Sequence, residues 1–311
     1  MSDLNVHKVL IIVGPTAVGK TEITLKTAEK LDCEIVSADS RQIYRYMDIG
    51  TAKPTPEELS RVPHHFIDCR NPDRYFSAGE YGRQARRCIH EIQNRNKQAL
   101  VAGGAGFYVQ ALVDGLFAPG RSDPAIKQKW RQKIRDQGRD RVFKMLQHVD
   151  PETAARLHPN DTQRVVRALE VYELTGTPLS RYRALPPNPA DFVPIFIGLY
   201  RQRKTLYTRI EHRVDCMIEQ GLVDEVRRLR DMGYTPEYNA LRTVGYREVF
   251  DYLNGKFDKQ TMIEQIKINS RHYAKRQLTW FRKDDRIHWL DLHQYDDNSI
   301  VNELLMYLKD K

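Results

Sequence analysis

Cysteine is scarce and scattered in this chain. Its four cysteines, Cys33, Cys69, Cys88 and Cys216, include no C-x-x-C pair, so reduced thiols are expected and not a disulfide framework or a thiolate metal site. No zinc-binding spacing of Cys and His occurs either. Long apolar runs are missing: nothing approaches the roughly 20 residues that cross a bilayer. The stretch Met1–His7 is polar. Neither a membrane span nor a secretory signal is expected, which makes the cytosol the default compartment. Internal repeats, low-complexity tracts and a coiled-coil seam are also lacking, so a monomer is the default state.

What is present describes an ordinary globular protein. The 311 residues are 41% hydrophobic and 29% charged, enough for one large or two medium domains, each with a core. Lys and Arg exceed Asp and Glu, giving a formal net charge of +9. Such an excess points to an anionic partner larger than a single diphosphate.

The clearest chemistry lies near the start. Gly14-Pro15-Thr16-Ala17-Val18-Gly19-Lys20-Thr21 follows the apolar run 9–13. It is a G-x-x-x-x-G-K-[ST] phosphate loop between a buried strand and a helix. Backbone N–H groups, the positive end of the helix and the Lys20 charge would cradle a polyphosphate or pyrophosphate, and Thr21 offers a hydroxyl to Mg2+. A second apolar run, 34–38, ends at Asp39-Ser40-Arg41-Gln42. Ligands sit beyond the carboxyl ends of parallel strands, so Asp39 should face the space above the loop. There it could act as a general base, bind magnesium through water, or simply cap the next helix. A P-loop ATPase usually carries a metal-binding acid after another core strand. Here the run 99–102 leads into Gly103-Gly104-Ala105-Gly106 with no carboxylate. These glycines would let a ligand approach the backbone closely.

Alternating strand and helix patterns predict an α/β fold, a doubly wound parallel sheet. Helices are expected over 22–31 and 77–94, with strands at 34–38, 65–68 and 99–102. Composition breaks at Phe117-Ala118-Pro119-Gly120 and at Leu185-Pro186-Pro187-Asn188-Pro189. Between them the patterns are helical, at 125–137, 140–148, 151–157 and 161–175. This predicts a discontinuous P-loop core domain, 1–118 with 192–311, and a helical insertion domain at 119–191. A strand at 194–200, helices at 204–231, 246–253 and 259–282, and a strand at 286–292 complete the reading.

Basic and aromatic residues mingle in 271–282, where Lys275, Arg276, Trp280 and Arg282 could neutralise phosphates and stack on unpaired bases. Packing of Leu278, Trp280 and Phe281 in the core is the plainer alternative. Arg164 and Arg167 lie one turn apart on helix 161–175, expected to point away from the buried stripe Val165, Ala168, Leu169 and Tyr172. Arg242 and Arg247 flank Gly245 and could clamp phosphate. His64 and His65 are adjacent on an extended segment, so they face opposite ways and do not suggest a metal site.

Taken together, GPTAVGKT (14–21), SADSRQIYRYMDIGTAKP (37–54), GGAGFY (103–108), NDTQRVVRALEVYELTG (160–176), VGYRE (244–248) and AKRQLTWFR (274–282) resemble the bacterial tRNA isopentenyltransferase (tRNA dimethylallyltransferase) family. The resemblance runs from about residue 9 to 292 in the same order, and the second and last blocks are its most specific parts. It implies transfer of a dimethylallyl group from dimethylallyl diphosphate to the exocyclic amine of the adenine 3′ of the anticodon in tRNA, assisted by Mg2+. Asp39 would take the proton from the amine, while Thr16, Lys20 and Thr21 would stabilise the leaving diphosphate. The adenine would be flipped into a channel and met by Asp39, Ser40, Arg41, Gln42 and Ala105. The anticodon stem-loop would lie on Gln163-Arg164-Val165-Val166-Arg167, Arg242, Arg247, Lys275, Arg276, Trp280 and Arg282. Two positions depart from the family pattern: Ala105 replaces a frequent Thr or Ser, so that any hydroxyl role there is lost or covered by backbone amides, and Tyr46 replaces a common Gly. The phosphate loop taken alone also suits a small-molecule kinase. Prenyl transfer to free AMP or ADP and a non-catalytic RNA-binding role are further alternatives.

Overall fold

The computed structural model describes residues 7–116, 122–186 and 188–309. The first segment runs β1 (Lys8–Val13), α1 (Lys20–Leu31), β2 (Cys33–Ser37), α2 (Pro56–Arg61), β3 (His64–His65), α3 (Ala78–Asn94), β4 (Gln98–Gly103) and α4 (Gly106–Val113). Helices α5 (Pro124–Gln137), α6 (Arg139–Val149), α7 (Pro151–Ala155), α8 (Thr162–Thr175) and α9 (Leu179–Arg183) follow. The last segment holds β5 (Val193–Tyr200), α10 (Arg203–Glu219), α11 (Leu222–Asp231), α12 (Tyr246–Leu253), α13 (Lys259–Phe281), β6 (His288–Asp291) and α14 (Asp297–Lys309). The chain divides into two units, residues 1–113 with 190–311 and residues 114–189.

In the first unit the strands form one parallel sheet in the order β3-β2-β4-β1-β5-β6. β1 buries every side chain from Val9 to Val13, as a strand covered on both faces must. Ile11 pairs with Val101 on one side and with Phe196 on the other. Strands β2 to β4 lie to one side of β1, and β5 and β6 to the other. The order therefore reverses at β1, whose carboxyl end carries the phosphate loop, the place where such sheets bind ligands. Ala190 N–H donates to Val113 O at 2.7 Å. That bond closes the first unit where the chain leaves and re-enters it.

The second unit packs its helices around Val142, Phe143, Leu146, Val165, Ala168, Leu169 and Leu179. Asp161 caps α8 by accepting from Arg164 N–H, and Gly176 ends it in a left-handed turn. Tyr172, expected in the buried stripe, is exposed.

Several elements differ from the sequence expectation. The helix expected over 204–231 is broken, because Gly221 stands at φ +96° between α10 and α11 and turns the chain. β3 is only two residues long. Helix α2 was hidden by its prolines, although Thr55 and Glu58 form a capping box at its start. Helix α4 is almost wholly apolar and offers no polar face for a periodicity to mark. Helices α9 and α14 also went unpredicted. The break at 117–120 lies outside the described residues, as does Pro187 of the second break.

Candidate active site

The phosphate loop joins β1 to α1, and Gly14 passes so close to β5 that a Cβ there would lie 2.6 Å from Leu199 O. Lys20 Nζ donates to Gly14 O at 2.9 Å and Pro15 O at 2.8 Å, folding the side chain under the loop. Loss of water pushes the Lys20 ammonium down to about 7; Asp39 opposes that shift and Arg213 adds to it. Val18 is fully buried, and Thr21 lies in the first turn of α1 on the cavity wall.

Residues far away in sequence grip this loop. Gln277 on α13 accepts from Thr16 N–H at 2.9 Å and donates to Gly104 O at 2.9 Å. Arg213 and Arg209, one turn apart on α10, donate to Thr16 Oγ1 at 3.2 Å and Ala17 O at 2.9 Å. Arg201 donates to Val18 O at 2.9 Å. Burial lowers the Arg213 pKa, with Asp39 opposing. Neither Gln277 nor these arginines were singled out from sequence. The i, i+4 spacing of Arg209 and Arg213 was the available signal.

Asp39 stands after β2, where Oδ1 accepts from Arg41 N–H at 2.8 Å and Gln42 N–H at 3.3 Å. It therefore caps its turn and also lines the cavity. Thr16, Lys20, Thr21, Asp39, Arg41, Gln42, Arg213, Tyr273 and Gln277 all face one cavity of about 1080 Å³. Tyr273 is pushed up to about 12 by burial, then by Asp39.

The opposite wall is the loop 48–53. Glu225 on α11, only 2% exposed, accepts from the N–H groups of Asp48, Ile49 and Gly50 at 2.9, 2.7 and 3.2 Å. It also accepts from Tyr246 Oη at 2.6 Å. Lys53 pairs with Asp48 and Asp68. This clamp also escaped sequence reading, because a single Glu on an amphipathic helix looks like a solvated residue.

Four expectations are corrected here. Gln42 Nε2 is held by Thr51 O at 3.3 Å and Ala52 O at 3.0 Å, so in this conformation its amide fixes the loop instead of facing a base. Ala105 N–H is taken by Ala38 O at 3.1 Å, so it is no substitute for a missing hydroxyl. The glycines 103, 104 and 106 accommodate the protein itself. An added Cβ would lie 2.1 Å from Ala38 O, 2.2 Å from Gln277 Nε2 and 2.1 Å from the Trp280 ring, respectively. Val165 and Val166 are buried in the helical unit and present no side chain to a partner.

The two α8 arginines also part company. Arg164 is 70% exposed and pairs with Asp161 at 3.1 Å, whereas Arg167 turns to the fully buried Glu170 at 2.7 Å. Glu170 additionally accepts from Ser122 Oγ and Asp123 N–H, which explains why an arginine is drawn to it. Gln163 is exposed on the same helix. In the first unit Ser40 is half-buried, while Arg242, Arg247, Lys275, Arg276 and Arg282 are exposed. Trp280 is 43% exposed, lies over Gly106 and meets Phe107 edge-on at 6.1 Å. Phe281 takes the core position expected for it, and Leu278 is partly buried. His64 Nδ1 faces Val62 O and His65 Nε2 faces Glu34, so both histidines serve the sheet edge.

A parallel sheet with a phosphate loop, a carboxylate after the second strand and one cavity between them defines a P-loop protein built for group transfer from a diphosphate or polyphosphate. Residues 42–284 match the IPP transferase family. The tRNA dimethylallyltransferase of Thermotoga maritima is 47% identical over 302 residues, 97% of each chain. The tRNA dimethylallyltransferase 2 of Geotalea uraniireducens is 47% identical over 285 residues, 91% of this chain and 92% of that one. The crystal structure of the full-length tRNA isopentenylpyrophosphate transferase from Bacillus halodurans superimposes with a TM-score of 0.72 at 38% identity, covering 98% and 97% of the two chains. A eukaryotic dimethylallyltransferase acting on tRNA gives a TM-score of 0.78 at 29% identity, covering 92% of this chain and 74% of that one. The chain belongs to the IPP transferase family.

Proposed function

We propose that this chain transfers a dimethylallyl group from dimethylallyl diphosphate to tRNA, onto the exocyclic amine of the adenine 3′ of the anticodon, releasing diphosphate. Family membership supports the reaction class. The observation that carries the reading is a single cavity bounded by Lys20 and the phosphate loop on one side and by Asp39 on the other.

In this mechanism the loop amides, Lys20 and Arg213 receive the diphosphate. The allylic C–O bond breaks and its electron pair leaves on the diphosphate, while the amine nitrogen forms a bond to the same carbon. The amine proton passes to Asp39. Its Oδ1 is fixed by two backbone N–H groups, which leaves Oδ2 to accept. Because the charge on the leaving group is met by fixed dipoles and cations, positioning and electrostatics account for most of the rate. Magnesium suits this arrangement: Thr21 presents a hydroxyl on the cavity wall, and magnesium takes few protein oxygens when phosphate oxygens are available. It would supply further neutralisation of the diphosphate. The target adenine enters swung out of the anticodon loop. Exposed Arg242, Arg247, Lys275, Arg276, Trp280 and Arg282 contact the RNA, and the helical unit contributes Gln163 and Arg164 to tRNA binding.

No helix among the described residues is long and apolar enough to cross a membrane; a cytosolic monomer is part of the proposal. The test is incubation with dimethylallyl diphosphate and magnesium plus either tRNA or AMP. A mass gain of one dimethylallyl group on tRNA alone supports the reading. Prenylated AMP, or ATP hydrolysis without prenyl transfer, overturns it.

A further inference from the structure

Two residues before the cavity-lining Asp48 the backbone adopts a conformation that is costly for a bulky side chain. Tyr46 sits at φ +67°, a left-handed conformation that a bulky L-residue rarely adopts. Phe66, at φ +65°, offers a comparison. Its ring packs against the buried Phe76 and Tyr81 at 6.4 and 5.2 Å, so core packing offsets its strain. Tyr46 has no such compensation. It is 46% exposed, and its ring partner is Tyr234, stacked at 6.5 Å and 30°. Tyr234 in turn meets Tyr238 edge-on at 6.1 Å.

The three rings make an aromatic ladder with charges of both signs around it, the exposed Glu237 beside Tyr238 among them. Arg45 precedes Tyr46, is exposed, and donates to Asp68 O at 2.9 Å and Asn71 Oδ1 at 3.2 Å. Arg41 lines the cavity and donates to Asn239 O at 2.8 Å, tying the ladder's end to the site. Exposed Arg242 hydrogen-bonds to Pro236 O. The acidic neighbour Asp73 lies beside Arg74 at 3.7 Å. Strain held on an exposed aromatic marks a surface kept for a ligand, and aromatic faces beside guanidinium groups suit unpaired bases and their phosphates.

We propose that Tyr46, Tyr234 and Tyr238, with Arg41, Arg45 and Arg242, form a stacking surface for unpaired RNA bases flanking the one that enters the cavity. This rests on the tRNA-prenylation reading. The surface acts on the acceptor alone and leaves the diphosphate side untouched.

The test compares Tyr46→Gly and Tyr46→Phe with the wild-type enzyme on an anticodon stem-loop RNA, at low and high salt. Glycine relieves the backbone strain and removes the ring, so Tm should hold or rise while kcat/KM for RNA falls about tenfold. The factor should be the same at both salt concentrations, because stacking releases no counterions. KM for dimethylallyl diphosphate should not change, and Tyr46→Phe should stay within about twofold of wild type, since it keeps the ring face. Unchanged RNA kinetics in Tyr46→Gly would overturn the proposal. So would a fall in Tm alongside activity, or a parallel rise in the dimethylallyl diphosphate KM, since either shows a structural role alone. A wild-type enzyme that prenylates no RNA would instead sink the reading beneath it.

Discussion

Replacing Glu225 with alanine tests whether one buried carboxylate holds the wall of the cavity. Four donors converge on it: the N–H groups of Asp48, Ile49 and Gly50 and the Tyr246 hydroxyl. A hydrogen bond to a charged acceptor contributes about 1.5–3 kcal/mol net, and a buried donor left unpaired costs about 1–3 kcal/mol. Asp48 is exposed and Ile49 and Gly50 are half-buried, so those amides can turn to water and recover much of their loss. The Tyr246 ring is fully buried, and its hydroxyl has no such recourse. The total for Glu225→Ala is then about 3–5 kcal/mol, against about 1–2 kcal/mol for Tyr246→Phe, which removes one donor and leaves three bonds intact. In the double variant the Tyr246 substitution should cost little, because its acceptor is already gone. Urea unfolding at neutral pH, followed by far-ultraviolet circular dichroism, gives each value from the midpoint at constant slope. A loss below about 1 kcal/mol for Glu225→Ala, or strict additivity with Tyr246→Phe, would refute this account of the clamp.

Further outcomes are expected at Lys20, Gln277, Arg164 and Arg167. The folded pKa of Lys20, about 7, lies below its ordinary 10.5, so the unfolded chain binds more protons between these values. Stability should therefore rise with pH across that window, and Lys20→Met should remove the rise in pH-dependent thermal unfolding. Diphosphate favours the charged amine, so its binding should take up a proton above pH of about 7 and weaken as pH rises; calorimetry in buffers of differing ionisation enthalpy measures this, and Lys20→Met should abolish it. Gln277→Ala frees Thr16 N–H and Gly104 O together, and the slackened loop should lower kcat/KM about tenfold or more through donor binding and positioning. Arg164→Ala should weaken tRNA binding and reduce its salt slope by about 1 without loss of stability, whereas Arg167→Ala should destabilise the helical unit by about 1–2 kcal/mol, because buried Glu170 loses one charged donor but keeps Lys127 at 3.8 Å and its bonds from Ser122 and Asp123, seen in chemical denaturation.

Local chemistry was readable along the chain. The loop 14–21 and the turn after Asp39 are set by residues adjacent in sequence, because a phosphate loop and an Asx-type cap are made within a few residues. Helix boundaries at Asp161 and Gly176 were legible for the same reason. What a side chain spends its hydrogen bonds on was not legible. Gln42 reads as a base-recognition amide until the 48–53 loop is folded against it. Arg167 looks like a partner of Arg164 until Glu170 is found buried beneath it.

The anion cradle, the carboxylate after the second strand and the alternation that builds a parallel sheet are legible in the chain, since each depends on short-range geometry and periodicity. Which distant residues hold those parts in place follows from the folded arrangement. Gln277 lies 261 positions from Thr16, and Glu225 lies 175 to 177 positions from the amides it binds. Contacts at that separation leave no local pattern. They exist because the packed sheet brings α10, α11 and α13 to the carboxyl ends of its strands, where a buried polar group must find a partner or cost the fold its desolvation energy.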